Sequence, residues 1–92
     1  MIYKMVQKKV TIQNKMGLHA RPAALFVQTA TKFKSDVFVE KDEHEVNGKS
    51  IMGVMMLAAE LGSSLTLTVK GEDEKDALKA LVELFNNKFN ED

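Results

Sequence analysis

An α+β fold is predicted: an open-faced sandwich in which a four-stranded antiparallel sheet is covered on one face by three helices, in the order βαββαβα. Three observations lead there. Leu65, Leu67 and Val69 alternate with Thr66, Thr68 and Lys70, the mark of a strand that needs apolar cover on one side only. Ala23, Phe26, Val27, Ala30 and Phe33 instead recur at helical spacing, which gives an apolar stripe. Acidic residues Glu72, Asp73, Glu74 and Asp76 gather where a last helix would start, as its dipole favours. Strands with one apolar face and helices with one apolar stripe bury each other as two layers.

The elements follow in order. Val6, Val10 and Ile12 share one face of a first strand, with Gln7, Lys9 and Thr11 on the other. Asn14 to Gly17 reads as a loop, and a helix spans Ala20 to Phe33. Val37, Phe38 and Val39 form a β-branched and aromatic second strand, Asp42 to His44 a turn, and Glu45 to Asn47 a short return strand. Asn47-Gly48 is a turn signal, and Ser50 suits the N-cap of a short helix reaching about Leu57. The fourth strand ends at Gly71. The last helix runs to about Lys88 with Ala77, Leu78, Leu81, Val82 and Phe85 turned inward. No repeat, linker or low-complexity tract interrupts the chain, so residues 1–92 are expected to form one domain.

Composition narrows the function. Thirteen basic residues balance thirteen acidic ones, which argues against a nucleic-acid partner, and only Phe38 offers a sheet aromatic for stacking. The chain contains no cysteine, so disulfides and thiolate metal sites are excluded and a cytoplasmic home is expected. No run approaches a membrane span, and Met1-Ile2-Tyr3-Lys4 lacks the apolar core of a signal peptide.

The chemistry concentrates in Gly17-Leu18-His19-Ala20-Arg21-Pro22-Ala23. Gly17 allows a sharp turn, and Pro22 suits a first helical turn because the first N–H groups of a helix lack internal acceptors. His19 then stands at the positive end of a helix, beside free backbone donors and the Arg21 guanidinium. An imidazole nucleophile next to a ready cradle for an anion is a phosphoryl acceptor site. His44, among Asp42, Glu43 and Glu45, reads as a surface turn residue and not as a second site or a metal ligand.

The heptamer GLHARPA at Gly17–Ala23 and the later KSIMGVM at Lys49–Met55 together resemble the HPr family of histidine-containing phosphocarriers of the bacterial sugar phosphotransferase system. The likeness runs from about Met5 to Phe89, and the residues before Met5 look like an extension. It implies that His19 is the phosphorylated histidine, modified on Nδ1 by enzyme I and discharged to sugar-specific enzyme IIA proteins. It also implies that Arg21 and Ala20 steady the phosphoryl group. Ser50 corresponds to the serine that the ATP-dependent HPr kinase/phosphorylase modifies, with a catabolite-control transcription regulator as a further partner. Ile51, Met52 and Met55 correspond to an apolar docking patch. The protein is then a stoichiometric carrier and not an enzyme, monomeric, with no cofactor, no metal and no membrane insertion.

Each assignment has an ordinary structural counterpart. Ser50 is an N-cap in any case, although a phosphate at that position would add about two negative charges beside the patch. Taken at 100° per residue, Val54, Leu57 and Leu61 share one helical face while Ile51, Met52 and Met55 occupy another, which is expected to be exposed. Methionine suits a surface that meets several partners. Met16 and Met56 are apolar where relatives carry small or polar residues, which bears on partner preference. The Crh proteins of the same family keep the serine motif and lack the histidine, so His19 argues against that group. A module acting mainly through Ser50 is the alternative within the family, and an unrelated small α+β enzyme or RNA-binding domain the alternative outside it.

Overall fold

A computed structural model describes residues 5–91. The extension expected ahead of Met5 lies outside the described residues. Four strands, β1 (Met5–Thr11), β2 (Asp36–Lys41), β3 (His44–Asn47) and β4 (Ser64–Lys70), make one sheet in the spatial order β1-β4-β2-β3, every pair antiparallel. β4 therefore sits between β1 and β2, and these two run parallel without touching, the signature of a split β-α-β unit. Helices α1 (Ala20–Thr31), α2 (Ile51–Met56) and α3 (Glu74–Asn86) complete the expected βαββαβα order, and a short 3₁₀ turn follows at Lys88–Asn90.

Register explains the core. Val6, Val69 and Val37 align across three strands, and Lys8, Leu67, Val39 and Val46 across all four. The lysine falls on the outermost strand, where a charge discourages further strand pairing. Leu65, Leu67, Val69, Val37 and Val39 are buried beneath Ala23, Phe26 and Ala30 of α1 and Ala77, Leu81 and Phe85 of α3. The Phe26 and Phe85 rings meet edge to face with centroids 6.1 Å apart, joining the two long helices above the sheet.

Several expectations are corrected. α1 stops at Thr31, so Phe33 lies beyond it, half-buried rather than on the helical stripe. Leu78 and Val82 do turn inward as expected, half-buried against the core beside the fully buried stripe of α3. α3 ends at Asn86, not at Lys88, because Lys88, Phe89 and Asn90 all take positive φ. α2 ends at Met56 with Leu57 as its C-cap, so the helical projection does not carry on to Leu61, which is 57% exposed.

Candidate functional site

β1 delivers the chain into the loop before α1, and the loop's shape is set by two residues. Asn14 is buried and donates Nδ2–H to the Gly17 carbonyl at 2.8 Å, closing a tight turn. Gly17 has φ +64°, and a Cβ there would meet the Ala59 carbonyl oxygen at 2.3 Å. Only glycine meets both demands. The next N–H, of Leu18, donates to that same Ala59 oxygen at 2.9 Å, which seats the loop on the segment following α2.

His19 is the N-cap of α1. Its backbone is extended, its side chain makes no capping hydrogen bond, and the imidazole is exposed. The His19 carbonyl accepts from Ala23 N–H at 2.9 Å, the first bond of the helix. Pro22, buried in the first turn, has no N–H to leave unsatisfied, and the N–H groups of Ala20 and Arg21 have no acceptor within the helix. Lys15, Met16, His19, Ala20, Arg21, Pro22, Asn90 and Glu91 line an open depression of about 610 Å³. The site thus presents an exposed imidazole, a guanidinium and two amides with no acceptor among the described residues around one surface hollow, the donor set that suits an incoming phosphoryl group.

Across the chain, residues 6–87 match the family model for the PTS HPr component phosphorylation site. The chain belongs to the HPr phosphocarrier family of the phosphotransferase system. The phosphocarrier protein HPr of Xylella fastidiosa (strain Temecula1 / ATCC 700964) is 51% identical over 88 residues, 96% of this chain and 99% of that protein. The HPr-like protein Crh of Bacillus subtilis (strain 168) is 60% identical over 77 residues, 84% of this chain and 91% of that protein. Among solved structures, an HPr from Thermoanaerobacter tengcongensis superposes with a TM-score of 0.92 at 54% identity, covering 95% of this chain and 98% of that one. The HPr fold accounts for the open antiparallel sheet and its three helices.

The second motif lies on α2. Ser50 Oγ accepts from Gly53 N–H at 3.0 Å, the expected cap. Lys49 holds the entry: its Nζ donates to the Phe33 carbonyl just past α1, at 2.8 Å. Val54 is fully buried and Leu57 nearly so, while Ile51, Met52 and Met55 are exposed, Met52 at 70%. Met16, Met56 and Leu61 are exposed as well. His44 begins β3 at the surface, its Nδ1 3.2 Å from the Asp42 carbonyl, and takes no part in the His19 hollow. Among the described residues no cluster of His, Asp or Glu is arranged to hold a metal ion, and no helix is long and apolar enough to cross a membrane.

Sequence reasoning missed Asn14, Asn90 and Glu91. The Glu91 carboxylate accepts from Asn14 Nδ2 at 2.9 Å and from Met16 N–H at 3.3 Å, so the far end of the chain forms one wall of the hollow. No local spacing could have signalled a pair 77 residues apart.

Proposed function

We propose that this HPr-family protein carries a phosphoryl group on His19, taking it from phospho-enzyme I and passing it to enzyme IIA proteins in the cytoplasm. The observation that carries this reading is the exposed, uncapped imidazole at the N-terminus of α1. A ring nitrogen lone pair attacks phosphorus as the bond between phosphorus and the donor nitrogen breaks. The electron pair returns to the donor, and the reverse steps discharge the carrier. Catalysis of such a transfer is mainly positioning and charge stabilisation, so little machinery is needed on the carrier. Arg21 and the amides of Ala20 and Arg21 meet the new dianion as charge-assisted donors. The hollow is wide and open, which favours handing the group on over retaining it. Ile51, Met52 and Met55 serve as the docking patch for both partners, and Met16 lies at the edge of the same hollow.

Incubation with phosphoenolpyruvate and enzyme I should give an acid-labile, base-stable phosphate on the wild-type chain and none on His19→Ala. Label on His19→Ala, or none on the wild type, overturns the reading.

A regulatory role for Ser50 accompanies it, supported by the similarity to Crh and by the position of Ser50 at the start of the exposed patch. Phosphate there retains the favourable helix N-terminus and places its charge beside apolar docking residues, weakening enzyme I binding. HPr kinase/phosphorylase with ATP should label the wild type and not Ser50→Ala. The label on Ser50 should slow phosphorylation of His19 by enzyme I, and the same form is the one offered to a catabolite-control transcription regulator.

A further inference from the structure

The chain beyond α3 is built at some cost. Lys88, Phe89 and Asn90 have φ of 54°, 52° and 62°, three successive non-glycine residues in the left-handed region. Such a run persists only where its surroundings over-determine it, and such devices gather at functional sites. Two anchors hold this one. Phe89 is buried, with its ring centroid 4.9 Å from that of Phe85 at the end of α3. One residue past the turn, the two oxygens of Glu91 separately receive Asn14 Nδ2–H and Met16 N–H.

Asn14 shows that the second anchor is specific. The residue is 1% exposed, and its Nδ2 serves two acceptors, Gly17 O and Glu91 Oε2. Turning the amide over would set Oδ1 against both acceptors, so its orientation is determined by its partners. Oδ1 has no partner among the described residues, a buried carbonyl left unsatisfied while Nδ2 keeps its place. Asn14, Met16 and Gly17 are the loop that brings His19 to the mouth of α1. The partners of Glu91 therefore belong to neither helix nor sheet but to the support of the imidazole.

We propose that Glu91 is a positioning residue for phosphoryl transfer: its carboxylate ties the Asn14–Gly17 loop, and the left-handed turn at Lys88–Asn90 aims it there. The proposal rests on the reading of His19 as phosphoryl acceptor. Each of the two donors takes its own oxygen of the Glu91 carboxylate, so both oxygens must be acceptors for the bridge to stand as it does. Glutamine in its place presents an NH₂ to one of the donors and breaks the bridge with little change in shape.

The test uses the full chain as wild type, Glu91→Gln, Asn14→Ser and the double variant, each phosphorylated by enzyme I and phosphoenolpyruvate over a range of carrier concentrations. Because a loosened loop misplaces the nucleophile without altering the docking patch, Glu91→Gln should lower kcat about tenfold and leave KM for the carrier within about twofold. The Met16 amide proton should move upfield in the NMR spectrum, and the urea midpoint should stay near that of the wild type. The loss in the double variant should fall short of the product of the two single losses, since both changes cut the Asn14–Glu91 bond while Asn14→Ser alone also cuts the bond to the Gly17 carbonyl. Unchanged kcat, a loss confined to KM, unmoved Met16 and Asn14 amide signals, or fully multiplicative losses in the double variant would each overturn the proposal. A wild-type chain that accepts no phosphoryl group overturns the phosphocarrier reading and this proposal together, an outcome distinct from a wild type and Glu91→Gln that react equally well.

Discussion

At the scale of single residues, the site is governed by what cannot be substituted next to His19. Gly17 combines a left-handed φ with an approach to the Ala59 carbonyl that leaves no room for a Cβ. Gly17→Ala must either push the Ala59 segment away or move the loop, and both disturb the Leu18–Ala59 hydrogen bond. We expect a loss of roughly 2–4 kcal/mol in urea unfolding, with slower phosphorylation of whatever folds. Ser50 is the contrasting case, where one hydroxyl supports a helix of only six residues. Ser50→Ala should cost about 1 kcal/mol, whereas Ser50→Asp, which keeps an acceptor for Gly53 N–H, should cost much less. Urea midpoints of the two variants check the pair, and an equal loss in both would show that capping is not what the side chain contributes. The layout of the first motif was readable because His19, Arg21 and Pro22 are neighbours in sequence and sit at one helix end.

At the scale of elements, period was a sound guide wherever an element had one wet face. The Leu65–Val69 alternation and the Ala23–Ala30 stripe both emerge as buried faces of the expected type. The errors lie at ends, where tertiary contacts outweigh local pattern. Only Asn90 in Asn87-Lys88-Phe89-Asn90 is a residue that takes the left-handed region readily, and the turn is held by burial of Phe89 and by the hydrogen bonds of Glu91. Leu61 continued an apolar period past the point where α2 stops, and so lost its helical face. The β2–β3 hairpin shows a related mismatch. Asp42 and Glu43 both have positive φ, 50° and 70°, the conformation of a two-residue turn that matches strand twist and favours Asn-Gly. Glutamate tolerates it poorly. Glu43→Gly should therefore stabilise the protein by about 1 kcal/mol, read as a higher urea midpoint with an unchanged slope. A lower midpoint would mean that the side chain has a stabilising partner in the hairpin.

At the scale of the whole molecule, the split β-α-β topology leaves the start of β2 and the start of α3 to be joined by something other than sheet hydrogen bonds, and a carboxylate joins them. Asp73, the residue ahead of α3, accepts from the Ser35 hydroxyl and from the backbone N–H groups of Lys34 and Ser35. The Ser35 hydroxyl and then the Lys34 amide pull its carboxyl down from 3.8 to about 2, against a smaller upward push from desolvation. No sequence pattern announces the link, because its ends are 38 residues apart and each reads locally as an ordinary turn. A carboxyl whose folded value is depressed binds its proton more readily in the unfolded chain. Its stabilisation is thus complete above 3.8 and is lost as pH falls towards about 2. Asp73→Asn, a neutral isostere that does not titrate, should be less stable than the wild type at neutral pH. The gap between their urea midpoints should close over that acid interval as the wild-type carboxyl takes up its proton. A gap that stays constant down to pH 2 would mean that the Ser35 and Lys34 donors do not distinguish the carboxylate from an amide, and that the link between β2 and α3 owes nothing to charge.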